Sequence, residues 1–262
     1  MSQGSASLRD LGRVVLMNDD RYPTAADISY IARVAGVTAY FPTDSDYPRR
    51  WFYPRYSDGR LHEPASTRYL LDNLTSESTF IDVGAHLGYF SVLAALKCRQ
   101  VFAIEPMEFL VPLIHRNTVA NHLSNVHIIY AAAGREAGFV TMDKIGGPGR
   151  TVGGEGKSLV PVVRIDDYFS DMITAKDVIK IDVEGYEMNA LAGARETLSA
   201  RPKLMVEIHH KVEMFGHRRE QVYDFLSDLG YTMRIAAHRG DGDVPLSRAE
   251  AVSSDNAMVF CS

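Results

Sequence analysis

Residues 79–90 read Thr-Phe-Ile-Asp-Val-Gly-Ala-His-Leu-Gly-Tyr-Phe. An apolar run passes through Asp82, Gly84 and Gly88 bracket a tight turn, and a helical pattern starts at Tyr89. Strand, glycine turn and helix start together make a nucleotide-binding crevice, because the unpaired N–H groups of the first helical turn face the ligand. The spacing is D-x-G-x-x-x-G, not the dinucleotide fingerprint G-x-G-x-x-G. His86 stands where that fingerprint needs its second glycine, the residue that lets a pyrophosphate approach the backbone. A nucleotide without a pyrophosphate is therefore expected. Asp82, two residues before the first glycine, suits a ligand with a positively charged amino group.

A second acid extends the pattern. Residues 101–104 (Val-Phe-Ala-Ile) read as the next strand, and Glu105 closes it. It lies about 20 residues past the glycine turn, where a carboxylate accepts both ribose hydroxyls. S-adenosylmethionine meets both demands: it has no pyrophosphate and carries an amino group and a ribose. A nicotinamide-dependent oxidoreductase would share the sheet and Glu105, but leaves His86 and Asp82 unexplained. A non-catalytic Rossmann-like interaction module would keep the fold, and would need no reactive groups at the strand ends.

The chain has 262 residues, 46% of them apolar, enough for one large α/β domain. Its net charge of −5 argues against a general nucleic-acid surface. No apolar run is long enough to span a membrane, and the first residues lack the apolar centre of a signal peptide. Cys98 and Cys261 have neither metal-ligand nor redox spacing, so both are expected as buried reduced thiols in a cytoplasmic protein.

From residue 79 onward strand and helix patterns alternate, the mark of a parallel sheet. Strands are expected at 79–83, 100–104, 126–130, 178–182, 203–208, 232–236 and 257–261. Helices are expected at 89–97, 108–121, 188–198 and 219–229. The interval 239–255 is polar and rich in turn residues, so the final strand should return antiparallel. Residues 134–163 interrupt the rhythm as two strands around a glycine-rich loop, Gly146 to Gly156, expected to be mobile and near the mouth of the site. Gly156-Lys157-Ser158 is not a phosphate loop: Thr151 occupies its required glycine, and a strand-like run follows. Residues 1–74 form a separate cap segment, and 75–262 the nucleotide-binding domain. In the cap, Tyr40, Phe41, Tyr47, Trp51, Phe52, Tyr53 and Tyr56 interleave with Arg49, Arg50 and Arg55. Such rings pack on the main domain, offer stacking faces to an acceptor, or do both; Trp51 and Tyr53 are the candidate substrate contacts.

Residues 178–187, Val-Ile-Lys-Ile-Asp-Val-Glu-Gly-Tyr-Glu, form a second informative cluster. Asp182 and Glu184 fall at the carboxyl end of a strand, where open α/β sheets bind ligands. Lys180 sits mid-strand between helix-covered faces, so it needs a carboxylate partner such as Asp182 or Glu184. The next strand ends Glu207-Ile208-His209-His210, and Glu207 and His209 share a face. Three uses follow for Asp182, Glu184, Glu207 and His209. His209 or a carboxylate acts as general base; or Asp182 and Glu207, with Glu184, hold a divalent cation such as Mg²⁺ that acidifies a substrate hydroxyl; or Glu184 and Glu207 form a structural network with Lys180 and Glu187. His62 and the remaining histidines read as surface or ordinary structural residues.

The blocks FIDVGAHLGYFS, FAIEP, AAAG, RIDDYF, VIKIDVEGYEMNALAGA and LMVEIH, in that order over residues 75–210, resemble the FkbM family of S-adenosylmethionine-dependent methyltransferases. The resemblance implies a class I methyltransferase sheet, Rossmann-like and mostly parallel, with a final antiparallel strand. It also implies O-methylation of a hydroxyl on a small-molecule acceptor, a sugar or secondary metabolite. Carried onto this chain, the cofactor positions are Asp82, Gly84, Gly88 and Glu105, with the turn around Ala132 near adenine. His86 replaces the Asn usual in the family, beside the methionine portion of the cofactor.

Overall fold

A computed structural model of the chain describes residues 15–16, 28–52, 56, 60–143, 157–237, 243–248, 250 and 257–262. Tyr53, Arg55 and the glycine-rich loop at 146–156 lie outside the described residues. The elements run β1 (Val15–Leu16), β2 (Ile28–Val34), β3 (Val37–Pro42), α1 (Asp46–Phe52), α2 (Pro64–Asn73), β4 (Thr79–Val83), α3 (Tyr89–Ala95), β5 (Gln100–Glu105), α4 (Val111–Ala120), β6 (Val126–Tyr130), β7 (Ala132–Ala133), β8 (Gly138–Asp143) and β9 (Lys157–Val163). They continue α5 (Asp166–Phe169), β10 (Val178–Ile181), α6 (Glu187–Ala192), α7 (Arg195–Ser199), β11 (Lys203–Ile208), α8 (Arg219–Asp228), β12 (Met233–Ala237), β13 (Asp243–Pro245) and β14 (Ala257–Cys261), with a 3-10 helix at His210–Phe215.

The main sheet has the order β13-β12-β14-β11-β10-β4-β5-β6. The five strands from β11 to β6 are parallel, and β14 returns antiparallel between β11 and β12, as expected. One edge was not foreseen: β13, within the polar interval, adds an antiparallel eighth strand beside β12. Strand order reverses between β4 and β10, because β5 and β6 extend one side and β11 the other. A parallel sheet opens a crevice at such a switch point, outside the carboxyl ends of the strands.

The central strands are buried on both faces, which is why they read as continuous apolar runs. Ile81, Val83, Ile179, Ile181, Leu204 and Val206 join one apolar cluster with Leu191, Leu198 and Leu226 from the helices that follow. Phe80, Val101, Val178 and Met205 join the other, with Leu70 and Leu71 of α2, Leu93 of α3, and Tyr30, Phe41 and Phe52 of the N-terminal segment. The β2–β3 hairpin and α1 therefore pack their rings onto the main domain, Tyr30 stacking on Phe52 and Phe41 on Tyr89. Cys98 and Cys261 are buried free thiols. No helix among the described residues is long and apolar enough to cross a membrane.

The helix expected at 188–198 is two helices, α6 and α7, broken at Gly193. A Cβ there would lie 2.0 Å from the carbonyl oxygen of Gly134, so close backbone approach decides the break. The helix expected from 108 begins at Val111, with Pro112 in its first turn.

Candidate active site

The turn after β4 is shaped by its glycines. Gly84 has φ +80°, and its N–H donates to the Ile104 carbonyl at 2.9 Å. Gly88, at φ +81°, is the N-cap of α3. Between them His86 adopts φ 56°, uncommon for a side-chain-bearing residue. Its N–H donates to Glu105 Oε2 at 2.7 Å, and the Met107 N–H donates to Oε1 at 2.8 Å. The Glu105 carboxyl is buried, and burial pushes it up to about 7 despite these two bonds. The turn and the acid are thus built as one unit, and each carboxylate oxygen keeps lone pairs for further donors. Ala132 lies half-buried in β7, directly after the parallel strand next to Glu105.

Asp82 is fully buried and points to protein partners. Ser91 Oγ donates to its Oδ2 at 2.6 Å, and Oδ1 lies 3.7 Å from Lys180 Nζ, with no hydrogen-bond partner among the described residues. Burial pushes Asp82 up, against the pull of Lys180 and Ser91. Asp82 and Lys180 are register partners across β4 and β10, which explains how a lysine survives mid-sheet. Lys180 is 2% exposed; its ammonium donates to Asp182 Oδ2 at 3.0 Å and stands 5.2 Å from the centre of the Phe90 ring. Burial would lower its pKa, but Asp182, Asp82 and Glu63 outweigh it and hold the ammonium above the usual lysine range.

Asp182, Glu207 and His209 converge at the ends of β10 and β11, with one ligand atom of each within 4.8 Å of the others. Burial would raise Asp182, but Lys180 and His209 hold it down at about 2. His209 Nε2 is 3.5 Å from Glu207 and 3.8 Å from Asp182, while Nδ1 is 2.8 Å from Glu187 Oε1. Burial disfavours the charged ring, yet Glu187, Glu207 and Asp182 raise it to about 9. These carboxylates favour the protonated ring; the sequence offered His209 or a carboxylate as the base.

Glu184 stands at the exposed edge of this convergence. Its backbone is left-handed at φ 55°, its side chain is 64% exposed, and its carboxylate accepts from Lys211 Nζ at 2.6 Å. The partner required by Lys180 is therefore Asp182, while Glu184 lies 3.9 Å from His209 Nε2, close to the 3.8 Å of Asp182. Glu187, assigned from sequence only to a structural network, is fully buried and clamps His209 while accepting from the Gly185 N–H at 2.8 Å.

The N-terminal segment reaches the same place. Trp51 lies with its ring 5.2 Å from that of His86 and 4.8 Å from that of His62, and the Tyr47 hydroxyl is 2.5 Å from His86 Nε2. His62, read from sequence as an ordinary histidine, is paired with buried Glu63 at 3.1 Å. Neither residue belongs to a recognisable motif; the only local signal is the His-Glu-Pro run ahead of a helix.

Comparison with known proteins agrees with this architecture. The hexuronic acid methyltransferase AglP of Haloferax volcanii is 25% identical over 223 residues, covering 84% of this chain and 89% of its own. The crystal structure of methyltransferase FkbM from Methylobacillus flagellatus KT superposes with a TM-score of 0.52 at 23% identity over 78% of this chain. This chain spans 48% of that protein's length, and the likeness is one of fold, the class I methyltransferase sheet. The family model described as the methyltransferase FkbM domain matches residues 82–233, more than half of the 262. The chain belongs to the FkbM methyltransferase family.

Proposed function

We propose that the protein is an S-adenosylmethionine-dependent O-methyltransferase acting on a hydroxyl of a sugar or secondary metabolite. The observation that carries this reading is the convergence of Asp182, Glu207 and His209 beside the glycine turn, at the switch point of the sheet. The residues fit the cofactor. Glu105 would accept the ribose hydroxyls, the turn from Gly84 to Gly88 would receive the methionine portion beside His86, and Ala132 would border adenine. Asp182 and Glu207 at the strand ends offer negative charge to a positively charged sulfonium. The hexuronic acid named for the Haloferax relative supports a sugar among the acceptors.

When bound, S-adenosylmethionine supplies a methyl group already activated for displacement. The chain's own task is orientation, which can supply roughly 7–11 kcal/mol, and removal of the hydroxyl proton. Because Glu187, Glu207 and Asp182 favour the protonated His209 ring, we assign proton acceptance to Asp182, whose carboxylate is 23% exposed at the crevice. A weak base suffices, because the acceptor hydroxyl becomes strongly acidic as its oxygen gains the methyl group. His209, clamped by Glu187, fixes Asp182 and Glu207 around that oxygen.

A second reading rests on the same three side chains. Asp182, Glu207 and His209 would hold a divalent cation such as Mg²⁺, with His209 neutral, and the ion would lower the pKa of the hydroxyl. Thermal-shift measurements with S-adenosylmethionine, S-adenosylhomocysteine and NAD test the cofactor: stabilisation by the first two alone is expected, and stabilisation by NAD alone would overturn the reading. Turnover that survives chelation supports the metal-free mechanism. Loss on chelation with recovery on added Mg²⁺ supports the second.

A further inference from the structure

We propose that Glu63, supplied by the segment before α2, is the acceptor-recognition residue, receiving a hydroxyl of a neutral polyol beside the Lys180–Asp182 pair. The proposal rests on the methyltransferase reading above and specifies its acceptor.

Glu63 is 4% exposed, and its Oε2 has no hydrogen-bond partner among the described residues. A buried carboxylate oxygen without a donor is costly, so its site is built for a donor that arrives from outside the chain. The residue is the N-cap of α2, but its side chain makes no capping bond, and its backbone is left-handed at φ 40°. The carboxylate is thus directed elsewhere than to the helix it precedes.

The other oxygen is fixed. Oε1 lies 3.1 Å from His62 Nε2, and His62 Nδ1 lies 2.6 Å from the Tyr56 hydroxyl. With both ring nitrogens engaged, the imidazole has one orientation and holds Glu63 in place. The His62 ring packs 5.1 Å from Tyr89 and 5.6 Å from Phe90, and Lys180 stands over that same Phe90 ring. The charges of Lys180 and Asp182 act on Glu63, and burial is outweighed chiefly by His62, so the carboxylate stays ionised. An ionised acceptor-only group favours a hydroxyl donor. With Asp182 close by, a sugar acid would meet two like charges, so a neutral polyol is favoured over a uronate.

The test uses the full chain with S-adenosylmethionine and matched probes: the methyl glycosides of glucose, galactose and mannose, and their uronate counterparts. Methyl transfer is followed by mass spectrometry and S-adenosylhomocysteine binding by calorimetry. The wild type should prefer a neutral glycoside. Glu63→Gln should raise its KM about 10–100-fold, the loss of one charge-assisted hydrogen bond. It should also narrow the preference over the uronate while leaving S-adenosylhomocysteine affinity and kcat within about threefold, a pattern that general unfolding does not produce. Should Glu63→Gln fail to fold, His62→Gln, which frees the carboxylate, should show the same split in milder form. A folded variant with unchanged KM and preference overturns the proposal. So does a wild type that binds S-adenosylhomocysteine but methylates no neutral probe. A wild type that does not bind S-adenosylhomocysteine overturns instead the cofactor reading beneath it.

Discussion

Gly84 lies directly against Asp182: a Cβ at position 84 would sit 1.8 Å from the Asp182 carbonyl oxygen. The ends of β4 and β10 meet through this backbone contact, and the Asp182 N–H donates to the Val83 carbonyl at 3.0 Å beside it. The glycine that shapes the cofactor turn thus also sets the position of the proposed base. Gly84→Ala should lose roughly 2–5 kcal/mol, from left-handed backbone strain together with overpacking against an immovable carbonyl. Urea denaturation reads this directly, and a variant as stable as the wild type would show that the strand ends separate freely.

As the proposed ribose acceptor, Glu105 should couple cofactor affinity to pH. Its carboxyl, raised to about 7 from 4.5 by burial, is protonated in the free protein through the mildly acidic range and charged above it. A raised folded-state pKa means that its contribution to stability is complete below about 4.5 and is lost as pH rises through about 7. Binding should run the other way, because in the proposed role the carboxylate is the form that accepts two ribose hydroxyls. S-adenosylhomocysteine affinity should therefore rise with pH through about 7, by up to tenfold per unit below it. Glu105→Ala should weaken binding about 10–100-fold and flatten that profile. Calorimetry at pH 6 and pH 8 separates these outcomes.

Glu187 Oε1 and His209 Nδ1 form a buried pair at 2.8 Å. The His209 pKa is raised to about 9 from 6.5, so the stability it contributes is whole below about 6.5 and is lost as pH rises through about 9. Glu187→Gln should cost roughly 3 kcal/mol at neutral pH and reduce the alkaline fall. Denaturant midpoints across pH 6 to 10 provide the check; an unchanged alkaline limb would mean another group controls it.

Trp51 stands between His62 and His86. Trp51→Ala should raise the acceptor KM with little change in S-adenosylhomocysteine affinity, because the cofactor-side bond from the His86 N–H to Glu105 is a backbone bond. It should also cost about 3–5 kcal/mol of stability as a core truncation. Equal losses of acceptor and cofactor binding would place Trp51 over the cofactor instead.

Apolar runs and glycine spacing were enough to recover β4, β5, β10 and β11, because a strand buried on both faces leaves a compositional mark that does not depend on its neighbours. The same local logic required a carboxylate for Lys180 and put Glu105 next to the glycine turn, and the resemblance to the FkbM family follows from these blocks. What each charged group does was decided only in three dimensions. Asp82 and Lys180 are 98 positions apart in the chain and become partners through parallel register. Glu184 is two residues from Asp182, yet a left-handed backbone turns it outward to Lys211. The protonated form of His209 is favoured because Glu187 arrives from another element. Glu63 carries no motif, and enters the site only because α2 packs beside α3. Sequence patterns report burial and local geometry; protonation state and partnership depend on desolvation and on charges brought from distant segments, and these exist only once the chain has folded.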